Sequence, residues 1–407
     1  MTVPVRPRGA LMAVLGALYF AQGLPAGLLG KAMPALARDA GLSPQWIGLL
    51  ALPAVPWALK FLWAPWVDRW GSGGRNHRKR WMLGCLAGVW LVLLIASLAT
   101  PSWLFNTGFV VLLALLFVLN LFSATQDIAT DGLATRLLTA DLRGLGNSIQ
   151  VGGYKIGMIL GSGALLLLVD RWGWSPTLWL VMALLVGVMA TVARFNEPQD
   201  RSQKQSRVSW RWWRRQLLLF WLRPGMRLWL LILLGYKVGD GFGSRMIKPF
   251  LVDQHWSLAR VGELDLISSL AGLLGALMAG LIMVLLSRRA ALVGFGLLQG
   301  LAFLGWALVA QGRWSAIWPV ALFEQWADGL STVALFVIMM DYCRNGHEGS
   351  DYTMQASVQL FAVGAFTLAS GFSVAWLGYA THFLLAAILT VIVIMAAFFW
   401  HPPSLEA

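Results

Sequence analysis

Apolar runs of membrane-crossing length recur from one end of this chain to the other, and that recurrence leaves few folds open. A helix crosses the hydrocarbon core of a bilayer with roughly 17–25 apolar residues, because each residue rises about 1.5 Å. Twelve such runs can be drawn: 10–30, 45–67, 81–99, 107–133, 146–169 and 177–193, then 228–251, 261–286, 290–310, 315–340, 357–377 and 382–400. Of the 407 residues, 58% are hydrophobic and 12% are charged, about half the charged share of a soluble protein. One buried core cannot absorb that much apolar sequence, so lipid must solvate the outside. Backbone polar groups must then be satisfied within each segment, which selects helices. The expectation is an all-α membrane protein with twelve transmembrane helices. The first run exceeds a signal-peptide core, and Lys31-Ala32-Met33-Pro34 is a poor cleavage site, so it reads as a retained span.

The formal charge of +13 comes in short basic clusters between apolar runs, with no continuous basic face, which argues against nucleic acid as a partner. Most of the 31 lysines and arginines fall in the loops on the side of the amino terminus or within 195–227, whereas the opposite loops offer Arg38, Arg171, Arg260 and Arg313. Positive charge marks the cytoplasmic side, so both termini are expected inside. Cys85 and Cys343 lie beside basic loops and imply no disulfide framework. The histidines are scattered through loops and ends, with no metal cluster, nucleophile triad or Walker loop, which argues against an enzyme and against direct ATP drive.

The polar interruption at 195–227 divides the chain into a six-helix half, 1–194, a cytoplasmic linker, and a second six-helix half, 228–407. Residues 199–206 read as solvated linker, and 208–222, with tryptophans among arginines, as an amphipathic helix on the inner membrane surface. Tyr19 and Lys31 recur as Tyr236 and Lys248 at a constant offset, and Asp131-Gly132-Leu133 recurs as Asp328-Gly329-Leu330. Such pseudo-symmetric halves suit a carrier that rocks two bundles about a central site.

Ionisable groups inside the spans mark the candidate site, since a charge at the centre of a membrane helix costs about 2.5–3.5 kcal/mol on insertion scales. Asp127 and Asp131 stand one turn apart, and Lys155, Lys237, Asp240, Glu324 and Asp328 lie in similar surroundings. Lys155 and Glu324 fall near the middle of their spans, as do Tyr19 and Gln22, while Lys60 lies near a span end and reads as structural. Asp127 and Asp131 handle a proton or substrate, or else brace the next helix through Arg143 or close an inner gate. Gly235, Gly239, Gly241 and Gly243 surround Asp240, so that helix either breaks and bends or packs closely. Bases outnumber acids in the first, fifth and seventh spans together, which favours an organic anion as substrate.

Val67-Asp68-Arg69-Trp70-Gly71 followed by Arg78-Lys79-Arg80 resembles the loop signature of the major facilitator superfamily, with a longer spacer and Ala64-Pro65 where glycine is usual. The stretches YFAQGLP from Tyr19, LKFLWAPWVDR from Leu59 and ATQDIATDG from Ala124 resemble the AmpG-like permeases. The length, and GSDYTMQASVQ from Gly349, resemble the RhtX/FptX siderophore permeases within that group. The resemblance implies a monomeric secondary transporter of the bacterial inner membrane, without cofactor or metal. Its substrate would be a small molecule, a ferric siderophore such as ferripyochelin with proton symport, or alternatively a muropeptide. It further implies that Tyr19, Gln22, Lys155, Tyr236, Lys237, Asp240, Arg245, Glu324 and Gln355 meet substrate. Asp127, Asp131, Glu324, Asp328, Asp68 and Arg69 would couple protons or gate, the last two through an inner-loop charge network.

Overall fold

The computed structural model describes residues 8–33, 36–37, 40, 49–50, 52–70, 76–198, 209–256 and 258–401. The linker residues 199–208, the start of the 45–67 run and Gly71 of the loop signature lie outside the described residues. Every element described is helical. Two compact units result: unit 1 is Met1–Leu137, Gly152–Val208 and Arg344–Thr353, and unit 2 is Leu138–Val151, Ser209–Cys343 and Met354–Ala407.

Unit 1 contains α1 (Arg8–Gly27), α2 (Ala64–Arg69), α3 (His77–Leu98), α4 (Phe109–Leu137), the latter half of α5 (Arg143–Ile159) and α6 (Trp174–Arg194). The 45–67 run was expected as one helix. From Leu52 onward it is instead a string of short pieces, Leu52–Ala54, Val55–Leu59, Lys60–Leu62 and α2. Pro53, Pro56 and Pro65 explain the breaks, since each lacks the N–H that would continue the ladder. Glycines set the contact of α1 with α5 and the π-helical turn that follows it. A Cβ on Gly23 would lie 2.1 Å from the Tyr154 carbonyl oxygen, and one on Gly157 2.1 Å from that of Phe20. Backbone therefore meets backbone, the close approach that small residues allow between membrane helices. The polar residues of α4 satisfy themselves: Asn120, Ser123 and Thr130 each donate to the carbonyl four residues back.

Unit 2 contains α7 (Trp210–Trp221), α8 (Met226–Gly235), α9 (Val238–Gly243), α10 (Leu258–Leu285), α11 (Arg288–Ala310), α12 (Ile317–Asp341) and most of α13 (Glu348–Phe398). Ser209 and Ser287 cap α7 and α11 by accepting from Trp212 N and Ala290 N. On α10, Leu266, Leu270, Leu274, Leu277, Leu281 and Leu285 form an exposed leucine stripe, while Ala276, Ala279 and Met283 are buried. Small residues face protein and leucines face outward, the reverse of a soluble helix and the arrangement lipid favours. Gly275 and Gly329 let α10 and α12 approach, each Cβ falling about 2 Å from a carbonyl of the other helix.

Among the described residues, nine helices are long and apolar enough to cross a membrane, and a tenth candidate is the pair Arg211–Trp221 and Met226–Asp253, bent by 92°. One of the nine, α13, is 51 residues long and is two helices joined at Gly378, whose φ of 76° interrupts the helical path. That split at Gly378 falls between the expected runs 357–377 and 382–400. The seventh run also breaks, between Gly235 and Val238 at Tyr236 and Lys237, and continues as α9, a 3₁₀ turn and Ile247–Asp253.

Candidate functional site

Each unit buries a constellation of carboxylates with one lysine. In unit 1 the pair is presented by α4, where the four-residue spacing puts Asp127 and Asp131 on one face. Lys60 Nζ pairs with Asp127 Oδ2, both side chains being buried. The same lysine lies 5.4 Å from the centroid of the Trp57 ring, and Trp57 Nε1 donates to Asn120 Oδ1 at 2.8 Å. Asp131 is bound differently, accepting from the Tyr19 hydroxyl at 2.7 Å. Gln22 is buried one turn from Tyr19 on α1, its Nε2 without a protein acceptor. Breaking the helix at the proline-rich 52–69 stretch is what brings Lys60 inward.

In unit 2 the pair is Glu324 and Asp328 on α12, again four residues apart. Lys237, at the break between α8 and α9, donates to Asp328 Oδ1 at 2.6 Å and to Ser331 Oγ at 2.9 Å, and lies 3.8 Å from Asp240 Oδ2. Glu324 is fully buried and is held by neutral donors: Ser244 Oγ at 2.6 Å and Gln325 Nε2 at 2.9 Å. Asp240 accepts from Gln299 Nε2 at 3.2 Å, and Ser244 Oγ also lies 3.0 Å from its Oδ1. Hydrogen bonds thus link Glu324, Ser244 and Asp240, and an ion pair at 3.8 Å joins Asp240 to Lys237, which is bonded to Asp328. The glycines flanking this break do pack closely: Cβ atoms on Gly239 and Gly241 would strike Thr390 and Val363. Breaking and close packing therefore coexist.

A third network, within unit 1, centres on the buried Arg78, which donates to Glu348 Oε2 at 2.9 Å and to Asp68 Oδ1 at 3.4 Å. Asp68 Oδ2 accepts from Ser350 N at 2.7 Å and from its hydroxyl at 2.6 Å. Arg69 reaches His347 Nε2 at 3.4 Å, and Arg344 grips Asp351 with two side-chain donors, at 2.8 and 2.7 Å. His347 lies between α12 and α13, and burial lowers its pKa, with Asp351 acting in the opposite sense.

The structure therefore brings Tyr19, Asp127 and Asp131 together in unit 1 and Lys237, Asp240, Glu324 and Asp328 together in unit 2. Lys155 is half-buried on α5, and Arg245 is exposed in the 3₁₀ turn after α9. Tyr236 and Gln355 lie apart from the carboxylates: the Tyr236 hydroxyl donates to the Leu292 carbonyl at 2.8 Å, and Gln355 accepts from Trp229 Nε1 at 2.7 Å and donates to Met339 O at 2.9 Å. Arg143 pairs with Asp341, as does Arg288. Lys60, read as structural from its position at a span end, forms the buried ion pair with Asp127 in unit 1. Its charge within an apolar run was the available signal.

Many apolar helices and, in each compact unit, ionisable groups paired inside the helix packing define a multi-pass membrane protein with a polar interior. The Major Facilitator Superfamily model matches residues 15–350. The anhydromuropeptide permease of Escherichia coli K12 is 31% identical over 372 residues, covering 88% of this chain and 72% of the permease. Among solved structures, a human organic anion transporter superposes with a TM-score of 0.74 at 17% identity, covering 96% of this chain and 99% of the other. The Escherichia coli fucose:proton symporter superposes with a TM-score of 0.72 at 14% identity, covering 95% and 98%. At those identities the two structures speak for the fold alone. The chain belongs to the Major Facilitator Superfamily, in its AmpG-like permease group.

Proposed function

We propose that this protein imports an anhydromuropeptide across the bacterial inner membrane by alternating access, driven by protons. The relationship to the Escherichia coli permease, sustained over 88% of the chain, carries this reading and favours a muropeptide over the ferric siderophores. A muropeptide is an organic anion, in keeping with the lysines at Lys155 and Lys237, and its sugar face suits tyrosine and glutamine partners such as Tyr19 and Gln22. Both termini would lie in the cytoplasm, with the Asp68–Arg78–Glu348 network biasing the carrier between its two states.

Glu324 is the carboxylate best placed to take up and release the coupling proton. Its contacts are Ser244 and Gln325, which can serve either protonation state by rotating or by donating to the remaining lone pairs. Asp127 and Asp328, by contrast, are each paired with a lysine. Thermal stabilisation of the purified protein tests the substrate: anhydromuropeptides should stabilise it in a concentration-dependent manner. Stabilisation by ferric siderophores without any by anhydromuropeptides would move the assignment to iron uptake.

A further inference from the structure

Unit 2 contains a cavity of about 50 Å³ that borders Glu324 and that no step so far has used. At its floor are Glu324, Gln325 and Ser244. At its rim Lys248 pairs with Asp265 at 2.8 Å, and these two side chains are 53% and 32% exposed. Ser268 and Trp306 contribute to the wall, and Trp306 Nε1 is buried without an acceptor among the described residues. An unpaired indole N–H is costly unless a water accepts from it. A site needs some 10–15 Å³ of such volume per water, so the space admits about three waters, with Ser244, Ser268, Glu324 and Gln325 as polar partners among apolar neighbours such as Ile247 and Leu264. Unit 1 offers the control: its cavity of about 20 Å³ is lined by Leu24, Leu28, Leu93, Leu119 and similar side chains, and such a void stays dry.

We propose that the unit 2 cavity is a hydrated conduit that carries protons between the Lys248–Asp265 rim and the Glu324 carboxylate. Ser244 and Lys248 are one turn apart, as are Asp265 and Ser268, so the path is about one helical turn long. A proton entering at the rim passes along the water file to a Glu324 oxygen, and the water next to the rim is reprotonated from outside. The ionisable groups bordering this route are Asp240, linked through Ser244, Asp328 and Lys237 beyond it, and the rim pair itself. Lys248 and Asp265, partly exposed, mark the outer end of the route.

The proposal rests on Glu324 being the proton carrier, and infrared spectroscopy of the protein in liposomes separates the two claims. The carboxyl band lost in Glu324→Gln identifies the group, and its deuterium exchange reports access from water. Ala321→Leu, which fills the cavity, should lengthen the exchange half-time about tenfold, and Trp306→Phe, which removes the donor that orders the file, about threefold. Ala321→Val provides a milder plug should the leucine prevent folding. Unchanged exchange in the plugged proteins would overturn the conduit and leave the carrier assignment standing. Absence of any Glu324-dependent carboxyl band across pH values of about 5 to 9 would overturn both.

Discussion

In unit 1 the lysine takes the first carboxylate of the four-residue pair and a hydroxyl takes the second, whereas in unit 2 the order is reversed. Lys60 holds Asp127 and Tyr19 holds Asp131; Lys237 holds Asp328 and Ser244 holds Glu324. The carboxylates precede Gly132-Leu133 and Gly329-Leu330 in the same frame, so the repeat is preserved while its wiring is not. The surroundings differ in the same sense. Tyr19 is a buried phenol, while Ser244 borders a cavity that polar and apolar side chains line together. The repeated Tyr236 donates to a backbone carbonyl instead of a carboxylate. An inherited pair of acids is thus joined to its lysine through the first member in one half and the second in the other, which under the proposed function leaves Glu324 as the exchangeable acid.

The largest effects should come from cutting the lysines. Lys60→Met leaves the buried Asp127 without its cation, where removing one partner of a buried pair costs about 3–5 kcal/mol, and Lys237→Met does the same to the partly exposed Asp328 at a somewhat lower cost. Melting in detergent should show both losses. Lys60→Met with Asp127→Leu should recover most stability, while Lys237→Met with Asp328→Leu should recover less, because Asp240 also faces that lysine. Equal recovery would erase the distinction between the units.

Glycine substitutions come next. Alanine at Gly23 places its Cβ 2.1 Å from the backbone oxygen of Tyr154, which cannot yield without moving a helix. Alanine at Gly241 meets the Val363 side chain at 2.4 Å, which can rotate. Overpacking should cost about 1–3 kcal/mol for Gly23→Ala and less for Gly241→Ala, read from chemical or thermal unfolding. The reverse order would show that the α1–α5 contact is looser than its geometry.

The smallest effect belongs to His347. Burial lowers its pKa in the folded protein, below an ordinary value near 6.5. As pH falls through about 6.5 the unfolded chain gains a proton that the folded chain does not, so stability declines on acidification. A shallow slope of melting temperature below neutral pH is expected, and His347→Gln, which keeps an acceptor for Arg69, should flatten that slope. An unaltered slope would assign it to other groups.

Apolar run length revealed the helices, and composition revealed the lipid, because both follow from the thickness of a bilayer. The proline breaks in 52–69 were also written in the sequence, but hydropathy averages across them. Asp127, Asp131, Glu324 and Asp328 stood out because charge in an apolar run is costly. Their partners did not, since a lysine on another helix reaches one carboxylate or the other by helix rotation and glycine packing, which no local pattern encodes. Gln355 and Tyr236 show the converse: polar side chains in membrane helices can be satisfied by buried indole, carbonyl and sulfur neighbours, and their residue type alone does not separate that role from ligand contact.

The asymmetry between the two carboxylate pairs is tested most directly by comparing Glu324→Gln with Asp131→Asn in proteoliposomes, using a labelled anhydromuropeptide. Uptake is followed twice, as accumulation under an inward proton gradient and as counterflow without one. Glu324→Gln should lose accumulation at least tenfold while counterflow stays within about twofold, and Asp131→Asn should keep both within about threefold. Accumulation at the unmodified level in Glu324→Gln, or selective loss of gradient-driven uptake in Asp131→Asn, would contradict the division of labour between the units.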